Sequence, residues 1–440
     1  MTNTRRGFLG GAAAGAAAAA LTGLSRSSAA QSHPNANVTI GIIGAGIRGL
    51  ELMGVALEAG AKVAMVCDLY DGHFRRAQEL QKNTPTTKDF HEVLARPDIQ
   101  AVLIATSDHW HAPVAIAAMR AGKDVYCEKP MTHTIPEALE MVKVSRETGR
   151  LVQVGSQSVS MTSTHKAKQW YDSGAIGTVF MVQCSIYRPN AIGAWRYPVP
   201  PDATAATIDW ERFLGNAPKR PFDAARFFQF RNWWDYGTGI SGDEYVHLLS
   251  RVHYLMGVQY PISAVANGGI YKWKGDRDVP DIHNTLYDYG KFQVQVSANL
   301  VSNWDSEETV RFMGDRGTIE LTEDGAKLVP YNPMEDYEYP LESWPMDTKA
   351  QFMAAHKDDP EADIGTARKQ PKRQTETVGQ DHEGTLEHMQ NLFECMRTRQ
   401  QPAENVEFGC GTAVACHMAN ISYREQKRVF WDADAGKLRT

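Results

Sequence analysis

The chain holds 440 residues, with 46 Lys and Arg against 52 Asp and Glu and a formal charge of −6. Charges of both signs are interspersed, so no basic stripe marks a nucleic-acid binder and a small-molecule partner is expected. The six cysteines, at 67, 127, 184, 395, 410 and 416, lack C-x-x-C spacing, which signals neither a disulfide framework nor zinc, and no metal is expected.

Thr4-Arg5-Arg6-Gly7-Phe8-Leu9 places paired arginines before an alanine-rich apolar run from Gly10 to Leu24, and Ser28-Ala29-Ala30 follows with small residues. This order is that of a twin-arginine secretory signal. The run holds about 15 apolar residues where a bilayer span needs roughly 20. Residues 1–30 are therefore set apart as an export segment, which implies the twin-arginine machinery as a partner and a periplasmic or otherwise exported location. A chain that folds in the reducing cytoplasm before export needs no disulfides, and Cys67 and Cys127, at the ends of apolar runs, read as buried thiols.

From Val38 short β-branched runs such as "VTIGIIG", "AKVAMVCD", "AVLIAT" and "DVYCEKP" alternate with segments of helical spacing. Apolar strands without polar alternation are buried on both faces, so residues 37–157 are expected to form a doubly wound parallel Rossmann sheet. Gly44-Ala45-Gly46-Ile47-Arg48-Gly49 follows the first strand and opens a helix. In that context the glycines permit the tight turn, the approach of a pyrophosphate and close helix packing, with the helix N-terminus facing the phosphates. Asp68 ends the second strand, where a carboxylate accepts from a ribose 2′-hydroxyl and repels a 2′-phosphate. NAD is thus favoured over NADP, with Arg75 and Arg76 as the nearby cations that weigh against that choice. Glu128-Lys129-Pro130 ends another buried strand, at the edge where such sheets bind ligands, so Lys129 is expected to face both nicotinamide and substrate.

Beyond residue 157 the strands lengthen and alternate, as in "TVFMVQCSIY", "FQVQVSANL" and "GTIELTE". Residues 158–330 are therefore read as a second α/β domain with a large, mostly antiparallel open sheet. Residues 331–380 read as a surface excursion, and 381–440 as helices and a tail completing the fold. Asp243 and His247 are four apart on an expected helix and share a face. A histidine can take a hydroxyl proton as hydride leaves the same carbon, while the carboxylate orients its ring or binds a second hydroxyl; His253 reads as a core residue. Two aromatic segments supply candidate sugar contacts, Tyr187, Arg188, Asn190 and Trp195 in one, and Arg231, Trp234, Asp235 and Tyr236 in the other.

Taken together, the glycine loop, "EKP" and the Asp-x-x-x-His pair resemble the glucose-fructose oxidoreductase / inositol dehydrogenase (Gfo/Idh/MocA) family, from about residue 37 to the C-terminal helices. The resemblance implies chemistry on sugars or cyclitols, with Lys129 and Asp243 lining the pocket and His247 as acid/base. It also implies oligomer contact through the open sheet, hence a homo-oligomer. The family's "TPxxxH" segment reads Thr106-Ser107-Asp108-His109-Trp110-His111 here, which puts Thr106 and His111 near the cofactor with Glu128. The family's "GGGxLxDxGxH" reads "GTGISGDEYVH", with Ser241 and Tyr245 departing from it.

An exported chain must keep its cofactor. With association near 10⁶ M⁻¹s⁻¹, a micromolar Kd means loss about once per second, so retention calls for roughly nanomolar affinity or a lid. The leading expectation is an exported NAD-dependent oxidoreductase of a sugar, cyclitol or glycoside. Two alternatives stand beside it: a redox-neutral glycoside hydrolase or epimerase working through a keto-sugar, for which Tyr187 or His283 would be the extra base, and a non-catalytic sugar-binding Rossmann protein.

Overall fold

The computed structural model describes residues 38–303, 307–330, 335–336, 338–357, 362–363, 375–380 and 384–439, so the expected export segment lies outside the described residues. Six strands, β1 Thr39–Ile43, β2 Lys62–Cys67, β3 Thr86–Thr87, β4 Ala101–Ile104, β5 Asp124–Cys127 and β6 Val152–Val154, form a parallel sheet in the order 3-2-1-4-5-6. Both faces are covered, which is why the strands carry apolar runs rather than alternation. One face packs Ile40, Ile42 and Leu103 under the helix Ile47–Glu58. The other packs Ile43, Val102 and Val125 under the helices Asp108–Arg120 and Ile135–Thr148. Strand order reverses between β1 and β4, the point beyond whose carboxyl ends sheets of this kind bind their ligands.

The second sheet has ten strands. In chain order they are β7 Val179–Tyr187, β8 Ser263–Gly269, β9 Ile282–Asp288, β10 Gln293–Asn299, β11 Glu308–Gly314, β12 Gly317–Thr322 and β13 Gly325–Pro330. After the separate two-residue pair β14 Glu335–Asp336 and β15 Ala362–Asp363 come β16 Glu376–Gly379, β17 Val429–Asp432 and β18 Lys437–Arg439. All pairings are antiparallel except β7 with β10. Alternate residues of β10, Val294, Val296 and Ala298, are fully buried under the helices of one face. On the other face Phe180 and Leu286 are exposed.

The stretch read as a surface excursion returns to this sheet, because β16 pairs with β13 at its edge. The last helices bind the two sheets together. The helix Thr385–Thr398 sends Met389, Leu392 and Phe393 into the core of the first sheet, beside Leu52 and Tyr126. Gly409, in the helix Val406–Glu425, lies so close to β6 that a Cβ there would meet Val154 Cγ2 at 2.4 Å. All six cysteines are buried and free.

Candidate active site

The glycine loop lies at the reversal point of the first sheet. A Cβ on Gly44, whose φ is +89°, would lie 2.5 Å from the Ala105 carbonyl oxygen, so this turn and the chain leaving β4 are pressed together. The helix that follows has no side-chain N-cap and no acidic residue in its first turn. Its first amides are therefore left to an anion. Ile47, the first residue of that helix, is 75% exposed, a large apolar side chain at the place where a dinucleotide would cover it. Arg48 Nε donates to Glu128 Oε1 at 2.6 Å, while its Nη2 is buried with no partner among the described residues. These features fit a pyrophosphate-bearing cofactor.

Asp68 is buried beside the loop, with Oδ2 accepting from Ala45 N at 2.6 Å and Oδ1 from the amides of Leu69 and Tyr70. His73 completes the set, with Nδ1 at 2.9 Å from Asp68 Oδ1 and its ring 3.9 Å from where a Gly46 Cβ would stand. Burial alone would raise the Asp68 pKa, but the His73 charge and hydrogen bond and the amides of Tyr70 and Ala45 bring it below the usual value. His73 is raised in turn, with Asp68 outweighing burial. The role comes from the fold bringing the His73 ring back onto Asp68, which residue spacing alone did not reveal.

At the end of β5, Lys129 Nζ donates to the Asp243 carbonyl at 2.9 Å and to Asp243 Oδ1 at 3.2 Å. Arg231 Nε reaches the same Oδ1 at 2.9 Å. Asp243 Oδ2 has no protein partner among the described residues. Burial would raise this carboxyl, but Arg231 and then Lys129 hold it well below the carboxylate range. The turn Ser241–Tyr245 is π-helical, and the α-helix expected to carry both Asp243 and His247 begins only at Val246. Such turns recur at functional sites. His247 is half-buried, and among the described residues no protein group bonds its ring. Burial and the Lys129 charge push its pKa well below the ordinary value, with Asp243 opposing them.

Beside Asp243 stands a second acid that sequence reasoning passed over. Glu244 is buried and takes Arg188 Nη1 at 2.7 Å, and Arg188 Nε reaches Glu307 at 3.3 Å. Burial raises the Glu244 carboxyl despite Arg188. Glu404, from the loop before the last helix, accepts from Ser156 N at 3.0 Å, and burial pushes its carboxyl well above the usual range. Both were missed because their sites exist only once distant segments meet.

Several expected contacts lie elsewhere. Trp195 and Tyr236 are fully buried and present no face to a sugar; Trp195 packs under the Arg277 guanidinium and Tyr236 against Phe213. Asn190 caps a turn through Gly193 N, and Asp235 pairs with Arg220. Trp234 is engaged by Asp278 through its backbone N and its Nε1. Tyr187 is half-buried at the end of β7. His111 is buried, with its ring nitrogens at 2.7 Å from the Pro130 carbonyl and 3.2 Å from the Thr106 carbonyl. It ties the two ligand-facing turns together rather than facing the cleft. Thr106 Oγ1 donates to the Ser107 carbonyl. His283 is fully buried against the Tyr245 hydroxyl, with burial lowering its pKa to about 3, and so is no base for the cleft. His253 is buried against Tyr289.

Residues 38–156 match the Gfo/Idh/MocA model described as an oxidoreductase family with an NAD-binding Rossmann fold, and residues 161–296 match the family's C-terminal α/β domain. Inositol 2-dehydrogenase of Salmonella typhimurium is 30% identical over 164 residues, covering 36% of this chain and 48% of that protein. Inositol 2-dehydrogenase 2 of Saccharopolyspora erythraea is 33% identical over 186 residues, covering 40% and 53%. The chain thus spans about half the length of the curated relatives it matches. Among solved structures, a levoglucosan dehydrogenase in complex with NADH and L-sorbose superposes with a TM-score of 0.65 at 18% identity, over 89% of this chain and 98% of that one. The WlbA dehydrogenase from Bordetella pertussis, in complex with NADH and UDP-GlcNAcA, gives 0.64 at 16%, over 90% and 98%.

Proposed function

The chain belongs to the Gfo/Idh/MocA oxidoreductase family, and from that premise we propose that it is an NAD-dependent dehydrogenase acting on a hydroxyl of a sugar, cyclitol or glycoside. The observation that carries the reading is the bond from Lys129 to Asp243, made at the strand edge that also holds the glycine loop. When bound, the nicotinamide supplies the hydride acceptor. Lys129 has two of its three ammonium protons on Asp243 and keeps the third for a substrate oxygen. His247, neutral and bonded by no protein group among the described residues, accepts the hydroxyl proton, and Asp243 Oδ2 is open to a second hydroxyl. Inositol dehydrogenases among the relatives and sugar-bound dehydrogenases among the structural neighbours support that substrate class.

The test is NADH formation, followed by absorbance, when the purified chain is given NAD and a panel of cyclitols, free sugars and aryl glycosides. Persistent NADH with a sugar or cyclitol supports the proposal, whereas glycoside cleavage without net NADH would replace it with the redox-neutral reading. Sugar binding without turnover would leave a binding protein. The burial of His283 removes one base that the redox-neutral reading called on.

The proposal extends to export and assembly. The arginine pair and apolar run of residues 4–30 support passage through the twin-arginine route with cofactor already loaded, and a reporter fused after Ala30 checks it. The exposed Phe180 and Leu286 support pairing of copies through the ten-stranded sheet, which light scattering on the eluting protein measures.

A further inference from the structure

The turn that follows Asp68 is covered by chain from the other domain. Residues 202–209, in the long connection after β7, pair with it in antiparallel fashion at Tyr70 and Ile208. Asp71 N donates to the Thr207 carbonyl at 3.0 Å, and Asp209 N to the Leu69 carbonyl at 2.9 Å. Further along, Phe228 packs edge-on against Tyr70 with ring centres 5.2 Å apart. Asp202 stands at the centre of this contact: Oδ1 accepts from the Tyr70 hydroxyl and Oδ2 from Arg75 Nη2 at 2.5 Å.

In a sheet of this order the turn after the second strand reads the 2′-position of the adenosine ribose. We propose that Asp202 is a specificity-determining residue for the cofactor: it holds Arg75 away from the 2′-position and closes the connecting segment over the adenosine end of NAD. This rests on the assignment of the glycine loop and Asp68 to NAD. Arg75 stands in the second turn of the helix Asp71–Leu80 that follows Tyr70, and its side chain is bonded across the domain boundary. Left free, its guanidinium would offer a 2′-phosphate a charge-assisted contact. With Asp202 present, that charge is met and a second carboxylate faces the phosphate dianion. The side chains of Arg75 and Asp202 are 62% and 44% exposed, as they must be to meet a ligand entering from solvent, and the core does not depend on them.

The experiment compares NADH and NADPH binding, by fluorescence, in the full chain, in Asp202→Ala and in the double variant Asp202→Ala/Arg75→Ala. The single variant should raise the affinity for NADPH relative to NADH by about tenfold, the scale of one hydrogen bond between charged groups. It should also speed NADH release by about threefold, a small factor because exposed ion pairs are weak. The double variant should lose the gain for NADPH, which a general loosening of the segment would not produce. An unchanged preference and release rate in Asp202→Ala, with the full chain binding NADH normally, would overturn the proposal. A full chain that binds neither dinucleotide would remove the cofactor site itself, and the latch with it.

Discussion

Two buried aspartates define the two ends of the cleft, and they are neutralised by different means. Asp68 is met by three backbone amides and one histidine, whereas Asp243 is met by the side chains of Lys129 and Arg231. Amides are fixed dipoles, so the first aspartate sits in a rigid frame suited to recognition. Side-chain cations can be shared with a substrate, so the second belongs to an arrangement suited to moving protons.

Replacing Lys129 with Met breaks the comparison most deeply. It should lower kcat by about 10² to 10⁴, the range for loss of a positioned proton-transfer group, with NADH binding changed little; turnover with substrate and fluorescence titration with NADH separate the two effects. Asp243→Asn leaves Arg231 and Lys129 without their shared counter-charge. Removing one partner of a buried pair costs about 3 to 5 kcal/mol, so chemical denaturation should register the change as well as turnover. Asp68→Ala should act at the other end alone, weakening NADH by about tenfold or more while leaving kcat at saturating cofactor near that of the unmodified chain.

The pH profile sharpens the contrast with the smallest expected effect. The folded state holds the His247 pKa well below the ordinary 6.5, so it refuses a proton that the unfolded chain accepts. Its contribution to stability is present above about pH 6.5 and is lost as pH falls from there. The acid limb of kcat/KM should accordingly lie below 6.5. Because the Lys129 charge is among the causes, the limb should move upward in Lys129→Met to the extent that residual turnover can be followed.

Much of the first sheet was legible because local sequence dictates it: β-branched runs between helical segments, and glycines where the chain must turn against β4. The same holds for the alternating strands β7 and β10, with one face buried. The short β16, β17 and β18 carry little pattern of their own and exist by pairing with neighbours already in place. The π-helical turn at Ser241–Tyr245 was invisible for a related reason, since nothing in five residues distinguishes it from an α-helical turn. Aromatic residues misled: Trp195 and Tyr236 have the composition of sugar contacts, yet apolar area dominates where both faces of the ring can be covered. Glu244, His73 and Asp202 acquire their roles from partners at positions 188, 68 and 75, and no spacing along the chain announces those meetings.

The return of the helix Thr385–Thr398 to the first sheet has a consequence for biosynthesis. The first sheet is complete in strands at Val154, but Met389, Leu392 and Phe393 belong to its core. A ribosome therefore extrudes β7 to β13 and β16 of the second sheet while part of the first core still faces solvent. The nascent chain spends that interval with an incomplete core, a substrate for holdase chaperones.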